Sequence, residues 1–254
     1  MRMNIITITQ DNIDREHIGC AIADKKGETC VSSKKAWMKA AFAEGLAFKR
    51  LDARGKVLIE YIPAENAWCP LDADGYMHIN CLWVSGSFQG KGLANRLLEA
   101  CVEDAKARGK RGLTVVASEK KRSFLPDSGY LKHKGFAIAD TAPPYFVLYF
   151  LPFADGMPAP KFKDCAKLGR IGQKGMVLYY TNQCPHTDKY APLIKELAGQ
   201  RGADVQLIKI ETKEQAQSAP TSFTTYSFFD DGQFVTHEIL GPAKFEKYLD
   251  AKGL

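Results

Sequence analysis

Six consecutive residues, Gln89, Gly90, Lys91, Gly92, Leu93 and Ala94, carry the best-defined chemistry in this sequence. They join an apolar run at 79–84 to a stretch in which Leu93, Leu97, Leu98, Cys101, Val102 and Ala105 recur at helical spacing. Arg96, Glu99, Glu103 and Lys106 fall largely on the opposite face. A strand, a glycine loop and a helix start together make an anion cradle. Glycine lets the backbone approach a ligand closely, and the unpaired amides at the helix end, with the dipole behind them, favour phosphate. The chemistry expected is capture of a pyrophosphate by main-chain N–H groups. Two common pyrophosphate motifs do not fit. A dinucleotide fingerprint reads G-x-G-x-x-G with an acid about 20 residues on, whereas the next strand candidate, 113–118, meets its first acid only at Glu119. A Walker loop needs Ser or Thr after Gly-Lys, and Lys91 is followed by Gly92.

What the segment does resemble is the acetyl-CoA loop of the GNAT N-acetyltransferases, Q/R-x-x-G-x-G/A, entered from a strand ending in L-x-V. Leu82, Trp83 and Val84 supply that ending. The resemblance implies acetyl-CoA as cosubstrate and an amine of a small molecule or protein as acceptor. It implies that the strand end around Leu82, Trp83 and Val84 pairs with pantetheine amides and offers an N–H to the oxyanion. Gln89, Gly90, Lys91, Gly92, Leu93 and Ala94 would hold the diphosphate, with Asn95 adding a side-chain donor. Many family members carry a Glu in E-I-x-x-L-x-V on this strand, where the present register places His78. An imidazole with a pKa near 6.5 can accept a proton at neutral pH, and strict alternation puts His78, Asn80, Leu82 and Val84 on one face. A strand histidine without chemistry is the alternative, with Glu60 and Glu65 in reserve. The family's acid is a tyrosine five residues before the Phe of a G-F ending. Before Gly135 and Phe136 that position is Leu131, and the tyrosine is its neighbour, Tyr130. One helical step turns a side chain by about 100°, so Tyr130 is an acid only where local geometry is shifted, and otherwise packs.

The elements needed to position these groups set the domain organisation. A chain of 254 residues, 45% hydrophobic, has room for two cores. Residues 1–154 read as one unit: a strand at 5–9, a short helix at 12–20, and a second helix capped by Ser32 or Ser33 that turns Trp37, Met38, Ala41 and Phe42 inward. Strands follow at 46–51, 57–62, 79–84, 113–118, 136–138 and 145–151, with the helix after the glycine loop between the third and fourth of them. The expected fold is α/β (α+β): a GNAT domain whose mixed, mainly antiparallel sheet is flanked by helices. Residues 155–175, rich in Gly and Pro, read as a linker.

Residues 176–254 follow the order β-α-β-α-β-β-α, which resembles a thioredoxin-like fold and the YoaP-type domain found behind some GNAT domains. Cys184 then stands at a helix N-terminus, where the dipole lowers a thiol's pKa, and Ala219, Pro220 and Thr221 lie where that fold carries a cis-proline. The second thiol of a dithiol motif is absent, since Thr187 holds its place. Cys184 is therefore a candidate reactive thiol, and glutathione-linked redox chemistry is the competing function class. A non-catalytic acyl-CoA-binding module is the third.

Composition excludes several other classes. A net charge of +6 is modest, and the local Lys120, Lys121 and Arg122 cluster is a solvated surface or a contact for CoA phosphate rather than a nucleic-acid face. Seven cysteines without C-x-x-C spacing suit a reducing compartment and offer no metal ligand set. No apolar run approaches the roughly 20 residues of a membrane helix, and residues 1–10 are too polar for a secretory leader. The expectation is a cytoplasmic protein with no membrane or nucleic-acid partner. Oligomeric state leaves no mark on the sequence.

Overall fold

The computed structural model describes residues 4–254. Its larger sheet has seven strands in the order β1-β2-β3-β5-β6-β8-β7. These are β1 (Ile5–Ile8), β2 (Ala47–Leu51), β3 (Val57–Pro63), β5 (Met77–Val84), β6 (Gly112–Ser118), β7 (Ala137–Ala142) and β8 (Phe146–Pro152). Every pairing is antiparallel except β5 with β6. The mixed, mainly antiparallel sheet expected from the sequence is the one observed.

Helix α1 (Cys30–Phe42) covers one face of the sheet, burying Val31, Trp37, Met38 and Ala41. Helix α2 (Leu93–Ala107) and the short α3 (Ser128–His133) cover the other, where Leu93, Leu97, Leu98, Cys101 and Leu131 join a second apolar cluster. The α1 start differs from expectation. Its cap comes from a distance, as the Asp24 carboxylate accepts the amides of Val31 at 2.6 Å and Ser32 at 2.9 Å. The helix expected over 12–20 is a run of turns. Only the amides of Ile13 and Glu16 reach back four residues there, and the Asn12 side chain binds Thr9 N–H and Thr7 C=O instead.

The second unit is a four-stranded sheet in the order β11-β10-β12-β13, with β10 (Met176–Tyr180) parallel to β11 (Val205–Lys209) and antiparallel to β12 (Tyr226–Asp230). A tight turn with Asp231 at φ 47° and Gly232 at φ 80° returns the chain into β13 (Gln233–Thr236), as Asp-Gly hairpins do. Helices α4 (Pro185–Gln200), α5 (Lys213–Gln217) and α6 (Pro242–Lys252) complete the predicted element order. Pro220 is not cis; among the described residues the one cis peptide joins Pro143 and Pro144.

The expected linker is not a free tether. Within it β9 (Lys161–Phe162) pairs with β4 (Leu71–Asp72) of the first unit, and Phe162 and Ala166 are buried in the α1-side core. Arg170 bridges to Gln233 and the Ile171 amide donates to Gly232 C=O, so the same segment also binds the second unit. Among the described residues no helix is long and apolar enough to cross a membrane.

Candidate active site between the two units

Strands β5 and β6 run side by side for three pairs only, Met77 with Leu113, His78 with Thr114 and Ile79 with Val115. Beyond them β5 continues five residues to Val84 and β6 three to Ser118, and the two part. The cause lies on the other side of β5. Glu60 of β3 pairs with Cys81 while Tyr61 pairs with Ile79, so Asn80 is the extra residue of a bulge. A bulge bends its strand and breaks the ladder, here at the point of parting.

The bulge also overturns the strict alternation expected along β5. Met77, Ile79, Leu82 and Val84 pack on the α2 side, whereas Cys81 and Trp83 pack on the α1 side. His78 and Leu82 therefore lie on opposite faces, because one inserted residue shifts the period-two phase.

Ahead of α2 the loop is built for close approach. Gly86, Gly90 and Gly92 have φ of 61°, 72° and 70°, a region costly to other residues, and a Cβ at any of them would meet nothing within 4 Å. Phe88 pins the loop, its ring lying where a Cβ on Gly55 would sit. Gln89 Nε2 donates to Val84 C=O at 3.2 Å, closing the strand end. The first helical bond is Arg96 N–H to Gly92 C=O, so the amides of Leu93, Ala94 and Asn95 have no partner within the helix. Lys91 is exposed beside them.

A cavity of about 610 Å³ lies on the α1 side of the parting strands. From the first unit it takes Glu60, His78, Asn80, Cys81, Leu82 and Trp83, with Trp68 and Cys69 from the loop after β3. From the second it takes Gln183, Cys184 and His186 at the start of α4 and residues 222–225 ahead of β12. The two units are stitched around it. Cys69 Sγ donates to Ser222 C=O at 3.2 Å, the Thr224 hydroxyl donates to Trp68 C=O, and Lys189 pairs with Glu28 at 2.7 Å. The Tyr145 hydroxyl meets His237 Nδ1 at 2.7 Å.

Inside the cavity the Glu60 carboxylate is buried, ion-paired with the equally buried Lys34 and accepting a hydrogen bond from Asn80 Nδ2 at 3.0 Å. Lys34 interrupts the apolar stripe of α1, with its ammonium 4.3 Å from the Trp37 ring. A charge within such a stripe was the available sequence signal for this pair. His78 also lines the cavity, and its Nδ1 lies 3.0 Å from the Thr114 hydroxyl. Burial lowers its pKa to about 4, so at neutral pH it is an uncharged and weak base.

The remaining sequence candidates separate. Tyr130 is on α3, packed in the α2-side cluster and outside the cavity lining. Its hydroxyl is buried without a partner, and burial pushes its pKa up to about 12. Glu65 pairs with Lys110 away from the cavity. Cys184 is the N-cap residue of α4, as expected, but its thiol is not activated. Burial raises its pKa, and the His186 amide that pulls the other way is the smaller influence. Trp68 and Ser222 were not foreseen. Both line the cavity, and Trp68 Nε1 and Ser222 Oγ are buried without a hydrogen-bond partner. Among the described residues no cluster of His, Cys, Asp or Glu could hold a metal ion.

Comparison with known proteins places residues 13–124 in the acetyltransferase (GNAT) family model and residues 205–247 in the YoaP-like model. The chain is 46% identical over 248 residues to the uncharacterized N-acetyltransferase YoaP of Bacillus subtilis, covering 98% of this chain and 99% of that one. Solved structures similar to it include a GNAT family acetyltransferase from Brucella melitensis in complex with acetyl-CoA. That match has a TM-score of 0.39 and 16% identity, over 64% of this chain and 94% of that chain. A GNAT family N-acetyltransferase from Escherichia coli in complex with CoA matches with a TM-score of 0.41 and 12% identity, over 65% and 91%.

Proposed function

Because the chain belongs to the GNAT family of acetyltransferases and carries a YoaP-like domain behind it, we propose that it moves the acetyl group of acetyl-CoA to an amine held between its two units. The observation that carries this reading is the parting of β5 from β6 immediately before the open glycine loop, with Glu60 beside the gap. Acetyl-CoA supplies an activated thioester. The loop fits its diphosphate, since its three glycines stand clear of other atoms and the amides of Leu93, Ala94 and Asn95 after them have no helical partner. The strand edge freed beyond Ile79 offers main-chain groups to the pantetheine arm and an N–H to the developing oxyanion.

Glu60 is the proton acceptor in this scheme. Lys34 and Asn80 fix its carboxylate in the cavity wall, and the proton leaves the acceptor's ammonium toward it, directly or through one water. His78, lowered to about 4, orients Thr114 and fills the wall. Tyr130, whose hydroxyl is buried and which lies outside the cavity lining, serves packing. The second unit, whose strand order supports a thioredoxin-like description, forms the far wall. Cys184 is dispensable to transfer.

The test is amine-dependent release of CoA thiol, with acetyl-CoA binding followed by calorimetry. Glu60→Gln lowers kcat by about 10²–10⁴, the range of general-base catalysis, while His78→Ala loses less than about tenfold. A Lys34→Met, Glu60→Gln pair removes the carboxylate without stranding a buried ammonium and shows the same loss. Failure of the wild type to bind acetyl-CoA defeats the proposal, and full activity in the pair removes Glu60 from it.

A further inference from the structure

Two hydrogen-bond donors in the cavity are left over from the scheme above. Ser222 is 1% exposed and its Oγ has no partner, and Trp68 Nε1 is likewise buried and unpaired. The two residues come from different units yet line one cavity, joined by the seam in which Cys69 binds Ser222 C=O and Thr224 binds Trp68 C=O. A buried polar group without a partner is costly, so two such groups on residues lining one cavity mark a place where a ligand atom belongs.

Building on the acetyltransferase reading, we propose that the acceptor is a small amine whose tail carries an uncharged hydrogen-bond acceptor, such as a carboxamide, received by Trp68 and Ser222. Three features specify this class. An indole N–H only donates, so the group it meets must accept. The nearby lysines are placed otherwise: Lys34 is committed to Glu60, and Lys56, although it lines the cavity, lies over the Trp83 ring at 4.3 Å, at the strand end toward the glycine loop. Leu58, Phe124, Leu125 and Phe223 add an apolar stretch to the wall, which suits a short hydrocarbon spacer. A lysine side chain of a protein has only methylenes to place there, so it would leave both donors unpaired. The second unit, by supplying Ser222, selects the acceptor as well as enclosing it.

The experiment uses the full-length protein and a graded series of ω-aminoamides, each beside the alkylamine and the ω-amino acid of equal length, with a lysine peptide as a further arm. Binding is measured by calorimetry with CoA present, and transfer by thiol release. At the best length the amide exceeds the alkylamine by about tenfold or more in affinity and in kcat/KM, because the site's donors stay unpaired with the hydrocarbon. In Ser222→Ala and Trp68→Phe that advantage falls to within about twofold while alkylamine binding is retained. Equal affinity of amide and alkylamine at every length, or preference for the amino acid or the peptide, overturns the inference. If acetyl-CoA does not bind but the amide does, in a Ser222-dependent way, the acceptor site stands and the transferase reading falls. Transfer without amide preference gives the converse.

Discussion

Helices α2 and α4 both start beside the proposed reaction site, and their first turns deal with charge in opposite ways. The α2 start is exposed: residues 89–92 are open to solvent, its N-cap is Gly92 in the left-handed region, and no side chain caps it. The α4 start is half-buried at the cavity shared with the first unit, with Cys184 as N-cap and the Thr187 hydroxyl folded back onto Thr181 C=O at 2.5 Å. A helix dipole favours a nearby anion by about 0.3–1 kcal/mol, whereas burial can shift a titrating group by several pKa units, each worth about 1.4 kcal/mol. At α2 nothing opposes the dipole, and the terminus suits a diphosphate. At α4 burial wins, the thiol stays protonated, and the same backbone geometry lines a cavity for neutral groups. In this molecule the balance between dipole and desolvation decides which helix terminus suits an anion.

The largest effect expected from breaking this contrast is at Gly92. Gly92→Asp has space for its side chain but sets a carboxylate against the diphosphate at a φ of 70°, and acetyl-CoA affinity by calorimetry drops about a hundredfold. The loss shrinks on raising the salt, as befits an exposed pair of charges. Unchanged affinity would remove the loop from the cofactor site.

The converse substitution is Cys184→Asp. Aspartate is among the best N-cap residues, worth about 1 kcal/mol at an exposed helix start. Here it brings a carboxylate under cover, and thermal or urea unfolding shows a net loss of about 2 kcal/mol. A gain in stability would mean that the dipole outweighs burial at α4 after all.

The smallest effect is in the wild-type thiol. Alkylation of Cys184 across pH has its midpoint above the free value of about 8.5, since burial raises it. The folded form holds its proton longer than the unfolded chain. The associated stability is therefore complete below about pH 8.5 and falls as pH rises beyond it. Cys184→Ser lacks that part of the decline and keeps most of its transferase activity.

What the sequence showed clearly was local. The glycine loop, the helix after it and the Asp-Gly hairpin are written in contiguous residues whose conformational preferences agree with the final fold. What it hid depends on partners far along the chain. The cap of α1 comes from Asp24, and the helix expected at 12–20 lost to Asn12 side-chain bonds with its own strand. The bulge at Asn80 exists only relative to Glu60 and Tyr61 on β3, so an alternation argument on β5 alone chose the wrong face for Leu82 relative to His78. The base assignment shifted for a related reason. An ordinary imidazole pKa assumes a solvated ring, and His78 is buried in its strand. Ser222 and Trp68 left no sequence trace at all, because an unpaired polar atom is a property of assembled walls.

The segment that threads from one unit to the other has a consequence for cutting the gene. A fragment ending near residue 154 would pull Phe162 and Ala166 out of the core and leave Asp140 without its bonds to the Phe162 amide and Lys167. A fragment that keeps this core intact runs on to about residue 168. By the same token the second unit is not hung on a flexible leash whose length evolution can adjust freely. Insertions here would have to spare β9, and the angle at which the far wall meets the near one is inherited with it.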